Sequence, residues 1–140
     1  MELFQNSVHR VASRYYTHEQ IIAWAPDNPD HREWENKVAG KSTWIAVFKN
    51  TPVGFSILEE DGYLYMLYVH ADYQRMGIAT ALLEMVEKEL RKRDLDQVHT
   101  EASIAAKPFF EKHGFRLIQQ QTVKIRSQEL INFCMEKRLA

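Results

Sequence analysis

Cysteine is almost missing from this sequence. The one residue, Cys134, has no partner for an internal disulfide, and no Cys/His cluster at zinc spacing accompanies it. A chain built this way suits a reducing cytoplasm. The six histidines, at positions 9, 18, 31, 70, 99 and 113, include no His-x-x-x-His or Glu-x-x-His pair, so no metal site is expected. Neither sign of charge prevails: 18 Lys and Arg stand against 19 Asp and Glu, with the basic residues dispersed. Nucleic acid is therefore not an expected partner. No apolar run approaches the roughly 18 residues needed to cross a bilayer. The first seven residues also lack the basic-then-apolar layout of an export signal. No membrane partner is expected.

What remains is ordinary globular chemistry, with 45% hydrophobic and 26% charged residues. At 140 residues the chain fits one domain, residues 1–140, with no repeat, linker or low-complexity stretch. A domain of this size buries roughly two thirds of the surface its unfolded chain exposes, enough for a core without staples.

Periodicity then divides the chain. Leu3, Phe4, Val8, Val11, Ala12 and Tyr15 recur at three- and four-residue intervals, which predicts a helix over Leu3–Tyr15. Thr17 and Gln20 have the form of a capping box before Ile21, Ile22 and Trp24, and that helix stops at Ala25-Pro26. Asp30 opens a third short helix carrying Trp34 and Val38. The residues from Thr43 to Phe48 and from Val53 to Leu58 are rich in β-branched and aromatic types and read as a hairpin. Asp61-Gly62 turns into a third strand, Tyr63–Val69. From Gly77 a strongly amphipathic helix runs to Arg91-Lys92-Arg93, cations suited to the negative end of its dipole. A strand over Gln97–Ala102 would lie parallel to the third through that crossover. A helix over Ala105–His113, stopped by Gly114, and strands at Arg116–Ile125 and Leu130–Glu136 complete an α/β sandwich around one mixed sheet.

The segment Gln74-Arg75-Met76-Gly77-Ile78-Ala79 sits between a strand and a helix. Free N–H groups and the positive dipole end at a helix start suit a pyrophosphate, and Gly77 lets an oxygen approach with no Cβ in the way. There is no Gly-Lys-Ser/Thr of a Walker loop and no Gly-x-Gly-x-x-Gly of a dinucleotide fold, which sets ATP and NAD aside.

The stretch Leu67 to Leu83, with Gln74-x-x-Gly77-x-Ala79 at its centre, resembles the acetyl-CoA-binding motif of the GNAT N-acetyltransferases. Ala106-Lys107-Pro108-Phe109-Phe110-Glu111-Lys112-His113-Gly114-Phe115 resembles the second motif of that family, in the right order and separation. The resemblance spans roughly Thr43 to Leu139 and implies a GNAT-type sheet, mainly antiparallel and flanked by helices. It implies acetyl-CoA as co-substrate and a primary amine as acceptor. Carried over by position, Gln74, Arg75, Met76, Gly77, Ile78 and Ala79 would offer amides to the pyrophosphate, with Thr80 at the helix edge. Leu67, Tyr68 and Val69 would pair with the pantetheine arm. Ser103, Pro108, Phe109 and Phe110 would line its other side, and Lys112 would reach a phosphate or simply be solvated.

Two departures stand out. Many relatives carry a tyrosine at the position of Phe110, and Phe110 has no proton to give a departing thiolate; water or another tyrosine, Tyr65 or Tyr68, would have to serve. Many relatives also begin with a strand, whereas here the helical pattern starts near Met1. The sheet would then begin with the Thr43 strand or borrow an edge from a second copy, as a homodimer. For direct attack by an amine lying between the Tyr63 and Gln97 strands, Glu101 is the first candidate base and His99 the second. A free N–H near Leu67 or Tyr68 would stabilise the oxyanion. Trp24, Trp34, Trp44, His18 and His31 would border the pocket or merely pack. A rival reading is an acyl-CoA-binding sensor or partner module that has lost catalysis, and a third is an interaction domain with no cofactor.

Overall fold

The computed structural model describes residues 1–139. Three helices come first: α1 (Glu2–Arg10), α2 (His18–Trp24) and α3 (His31–Val38). The strands β1 (Ser42–Phe48), β2 (Thr51–Leu58) and β3 (Tyr63–Val69) follow, then α4 (Ile78–Lys92), β4 (Gln97–Ala102), α5 (Lys107–Lys112), β5 (Arg116–Ile125) and β6 (Gln128–Arg138). The six strands form one sheet in the order β1-β2-β3-β4-β6-β5, antiparallel at every junction except β3–β4. This is the expected mixed, mainly antiparallel α/β sandwich. Among the described residues no strand precedes β1. The outer edge of β1 is open, with Ile45 and Val47 each 61% exposed.

Burial on β2 shows how the layers are arranged. Every residue from Val53 to Leu58 is buried, because helices cover both of its faces. Leu58, Leu64, Val98 and Met135 pack under Leu83, Val86 and Leu90 of α4. On the other face Phe55, Ile57 and Met66 pack under Phe4, Val8, Ile21 and Ala25 from the N-terminal helices. The α4 helix lies close on β2 at Gly54, where an added Cβ would come within 3.0 Å of Ile78 Cγ2 and 3.1 Å of Tyr68 O.

Several boundaries differ from the sequence reading. The first helix ends at Arg10, and a 3₁₀ turn over Ala12–Arg14 replaces its predicted last turn. Bending there draws Tyr16 into the core, where its hydroxyl donates to Ile131 O at 2.6 Å. The Thr17 box forms as expected, with Thr17 N–H on Gln20 Oε1 at 2.8 Å and Gln20 N–H on Thr17 Oγ1 at 3.2 Å. The turns of both long hairpins are made without glycine. Lys49 and Asn50 have φ of 49° and 65°, and Arg126 and Ser127 have 44° and 71°. Such left-handed pairs match the strand twist, so β2 starts at Thr51 and β6 at Gln128, earlier than composition indicates.

Candidate active site

The parallel junction is short. β3 and β4 pair only at Tyr63↔His99 and Leu64↔Thr100, and Thr100 Oγ1 closes the crotch by donating to Leu64 O at 2.9 Å. Beyond that point the strands part. Toward β2, β3 keeps its ladder, with His70 N–H on Val53 O at 2.8 Å and Phe55 opposite Tyr68. Alternation in an antiparallel ladder then assigns Tyr68 and Met66 to β2 and turns the N–H and C=O of Leu67 and Val69 toward the gap. Of the two candidates for a free N–H, Leu67 has it and Tyr68 does not. Gln74 Nε2 occupies Val69 O at 2.9 Å, which ties the loop before α4 to the end of β3. A register shift between Ile57 and Leu58 leaves Tyr65 with no residue opposite it, so β3 bends as the gap opens.

At the start of α4 the chain adopts left-handed conformations at Arg75 (φ 63°) and Gly77 (φ 80°, the N-cap). The first helical N–H to find a carbonyl is that of Ala81, on Gly77 O at 3.0 Å. Among the described residues the amides from Gln74 to Thr80 donate to no protein acceptor. No atom lies within 4 Å of a Cβ built on Gly77, so its cradle is open. An unpaired run of amides at the positive end of a fifteen-residue helix is an anion site in the making. Thr80 Oγ1 lies 3.2 Å from His113 Nε2, joining this end of α4 to the end of α5.

Two cavities share part of their lining where β3 and β4 diverge. The first, about 150 Å³, runs from the loop before α4 between α1 and the α5 turn, past Leu67, Val69, Gln74, Ala79 and Phe109. The second, about 290 Å³, lies beneath α1 and α2 against the β5–β6 hairpin and reaches Tyr63, Tyr65 and Glu101. Trp24, Tyr68 and Ser103 line both. Tyr68 is held by ring contacts to Phe4 at 5.1 Å, Phe55 at 5.7 Å and Trp24 at 6.5 Å between centroids. Desolvation raises the phenol pKa of Tyr68 and, with the nearby Glu101 and Glu59 carboxylates, that of Tyr63; burial does the same to Tyr65. All three therefore carry their protons at neutral pH. Glu101 faces the second cavity and also a broad open face of the sheet shared with His99, whose ring stacks on Tyr63 at 5.2 Å.

Other predicted residues fall elsewhere. Phe110, expected along the cofactor arm, is 4% exposed and sits between Phe109 and Phe115 in the core under α4. It lines neither cavity, because the α5 face that meets the groove is that of Phe109. Pro108 and Lys112 are on the exposed side of α5 and line neither cavity. His18 and His31 are exposed at helix starts, and Trp44 packs on the opposite core. Cys134 stands opposite Glu101 on β6, its thiol pushed up by burial first and by that carboxylate second.

The sequence reading missed Tyr16. Its hydroxyl receives Ile104 N–H at 3.0 Å while donating to Ile131 O, so one side chain ties the loop after β4 to β6 beside the larger cavity. Lys37 and Arg126, which line that cavity from α3 and the β5–β6 turn, were missed as well. Neither spacing nor local pattern marks any of the three.

A strand that splits from its parallel neighbour, a helix start with free amides and a groove between them define an open α/β sheet with an anion-ready helix start beside its gap. A family model described as an acetyltransferase (GNAT) domain matches residues 12–137, and the chain belongs to that family. It is 39% identical over 133 residues to the uncharacterized N-acetyltransferase YafP of Escherichia coli, covering 95% of this chain and 83% of that protein. A solved GCN5-related N-acetyltransferase from Rhodopseudomonas palustris superposes with a TM-score of 0.95 at 33% identity, covering 99% of this chain and 86% of the other. The PaiA N-acetyltransferase of Thermoplasma acidophilum, solved in complex with coenzyme A, shares the fold at a TM-score of 0.75 and 20% identity, covering 98% and 89%.

Proposed function

We propose that this chain is an acetyl-CoA-dependent N-acetyltransferase that acetylates a primary amine of a small molecule or peptide by direct attack in a ternary complex. The observation that carries the reading is that the two cavities share Trp24, Tyr68 and Ser103 in their walls. There a groove leading from free helix-start amides adjoins a separate chamber reached by a carboxylate.

Acetyl-CoA supplies the activated carbonyl. The protein residues bind, orient and move protons. The amides from Gln74 to Thr80 would hold the pyrophosphate, and Val69 N–H would pair with the pantetheine amide as an added strand does. Leu67 N–H would face the carbonyl oxygen and stabilise the charge it gains in the transition state. Glu101 would take a proton from the substrate ammonium, directly or through water, freeing the lone pair with which the amine attacks the acetyl carbonyl. Tyr68 would donate a hydrogen bond to the departing sulfur, with water supplying the proton it finally takes up. Loss of a tyrosine at position 110 is tolerated in this reading, because positioning supplies much of the acceleration and a thiol leaves readily near neutral pH.

The test is thiol release from acetyl-CoA with a panel of primary amines. Glu101→Gln is expected to lower kcat at least about tenfold. Unchanged turnover across pH would remove Glu101 from the mechanism. The rival sensor reading draws on Phe110, a core residue with no proton to give. It predicts acetyl-CoA binding with no amine-stimulated thiol release.

A further inference from the structure

The larger cavity is lined by charges of opposite sign in different places. Glu101 enters it from β4. Lys37 and Arg126 enter it from α3 and from the β5–β6 turn. Arg126 lies at the tip of the hairpin. Cys134, the partner of Glu101, is roughly 20 Å of extended strand away from Gln128 at the base of that turn. The guanidinium donates to Ala23 O at 2.7 Å, so Arg126 enters the cavity from the hairpin-tip side while Glu101 enters it from β4.

The two cations are under-neutralised. Both lean on one carboxylate, Glu33, at 3.3 Å from Lys37 Nζ and 2.5 Å from Arg126 Nη2, and Glu33 does not line the cavity. The next cation along the chain, Lys41, pairs with Glu59 at 3.7 Å and lies 5.2 Å from the Tyr65 ring centroid. Three cations thus face two carboxylates. An ammonium has three donors and a guanidinium five, so donors remain for a further acceptor. The lining besides these charges includes the aromatic rings of Phe4, Tyr65 and Tyr68, with Trp24 shared with the smaller cavity. The volume of about 290 Å³ equals that of about ten waters and suits one small ring with its substituents.

We infer, building on the transferase reading above, that the acceptor is a small amine carrying an anionic group, a carboxylate or a phosphate, at the end remote from its nitrogen. The ammonium meets Glu101, the flat middle packs on the aromatic walls, and the anion meets Lys37 and Arg126. A purely cationic acceptor such as a diamine puts its second ammonium against those two cations and is selected against.

The test is calorimetric binding to the CoA-loaded protein of para-(aminomethyl)benzoate, its methyl ester, the matching phosphonate and para-(aminomethyl)benzylamine, run beside thiol release. The carboxylate or the phosphonate is expected to bind about tenfold more tightly than the ester, as charge-assisted hydrogen bonds give, and the diamine most weakly. Whichever anion binds better identifies the group. Lys37→Met is expected to bring the anion-to-ester ratio toward one, and Lys37→Arg to restore it. Equal binding of anion and ester, or a ratio untouched by Lys37→Met, overturns this inference while leaving the transferase reading to its own assay. Anion-selective binding with no thiol release keeps this inference and removes the transfer step.

Discussion

Four tyrosines around the junction hold their protons more tightly in the folded protein than in the unfolded chain. Burial is the first cause at Tyr16, Tyr63, Tyr65 and Tyr68. The sign of the linkage follows directly. A group whose pKa is raised by folding contributes stability that is complete below its unfolded value of 10.0 and is lost as pH rises through the folded one. Urea unfolding is therefore expected to show stability unaffected by these phenols up to about pH 9 and falling steadily above pH 10. Tyr16→Phe and Tyr68→Phe should each make that fall shallower. A second residue-scale prediction concerns Ser56, wholly buried on β2 with a hydroxyl that has no hydrogen-bond partner. Removing an unpaired buried polar group relieves its desolvation cost, so Ser56→Ala is expected to be neutral or to stabilise by about 1 kcal/mol, read as a shift in the denaturation midpoint.

Among the elements, α4 determines both the sheet packing and the anion site, and two glycines separate those duties. Gly54 is where α4 rests on β2. A Cβ there meets the Tyr68 carbonyl as well as Ile78 and Leu82, and the backbone oxygen has nowhere to go. Gly54→Ala is expected to cost about 1–3 kcal/mol of stability and to loosen the groove with it. Gly77 has open space around it but a φ of 80°. Gly77→Ala is expected to cost about 1 kcal/mol in stability through backbone strain, yet to weaken CoA binding by more than that cost because a methyl group enters the phosphate cradle. Calorimetric Kd values measured beside unfolding curves separate the two outcomes. Elements with strong local signals were legible from the chain alone. The Thr17 box, the amphipathic face of α4 and the apolar run of β3 each record a short-range physical constraint in adjacent residues. The two glycine-free hairpin turns were not, since Lys49-Asn50 and Arg126-Ser127 take left-handed conformations that long strand pairing imposes.

At the scale of the whole molecule the site is assembled from parts distant in sequence. Tyr16 joins residues 88 and 115 positions away, and Lys137 on β6 reaches the buried Glu87 of α4 at 2.9 Å. A ligand that spans such parts must stabilise the fold. Coenzyme A at about a hundred times its Kd is expected to raise the unfolding free energy by about 2.7 kcal/mol, with a matching rise in Tm. No such rise would remove the cofactor site from this protein.

The residues by themselves determined the order of elements and the glycine-led helix start at Gly77, because each rests on spacing within one or two adjacent elements. Only the tertiary structure decided that Leu67 rather than Tyr68 turns its N–H to the gap, that Phe110 belongs to the core, and that Tyr16, Lys37 and Arg126 border the larger of the two cavities. Those outcomes depend on ladder parity, on which face of a short helix meets the sheet and on contacts across more than eighty residues. No local pattern in the chain carries that information.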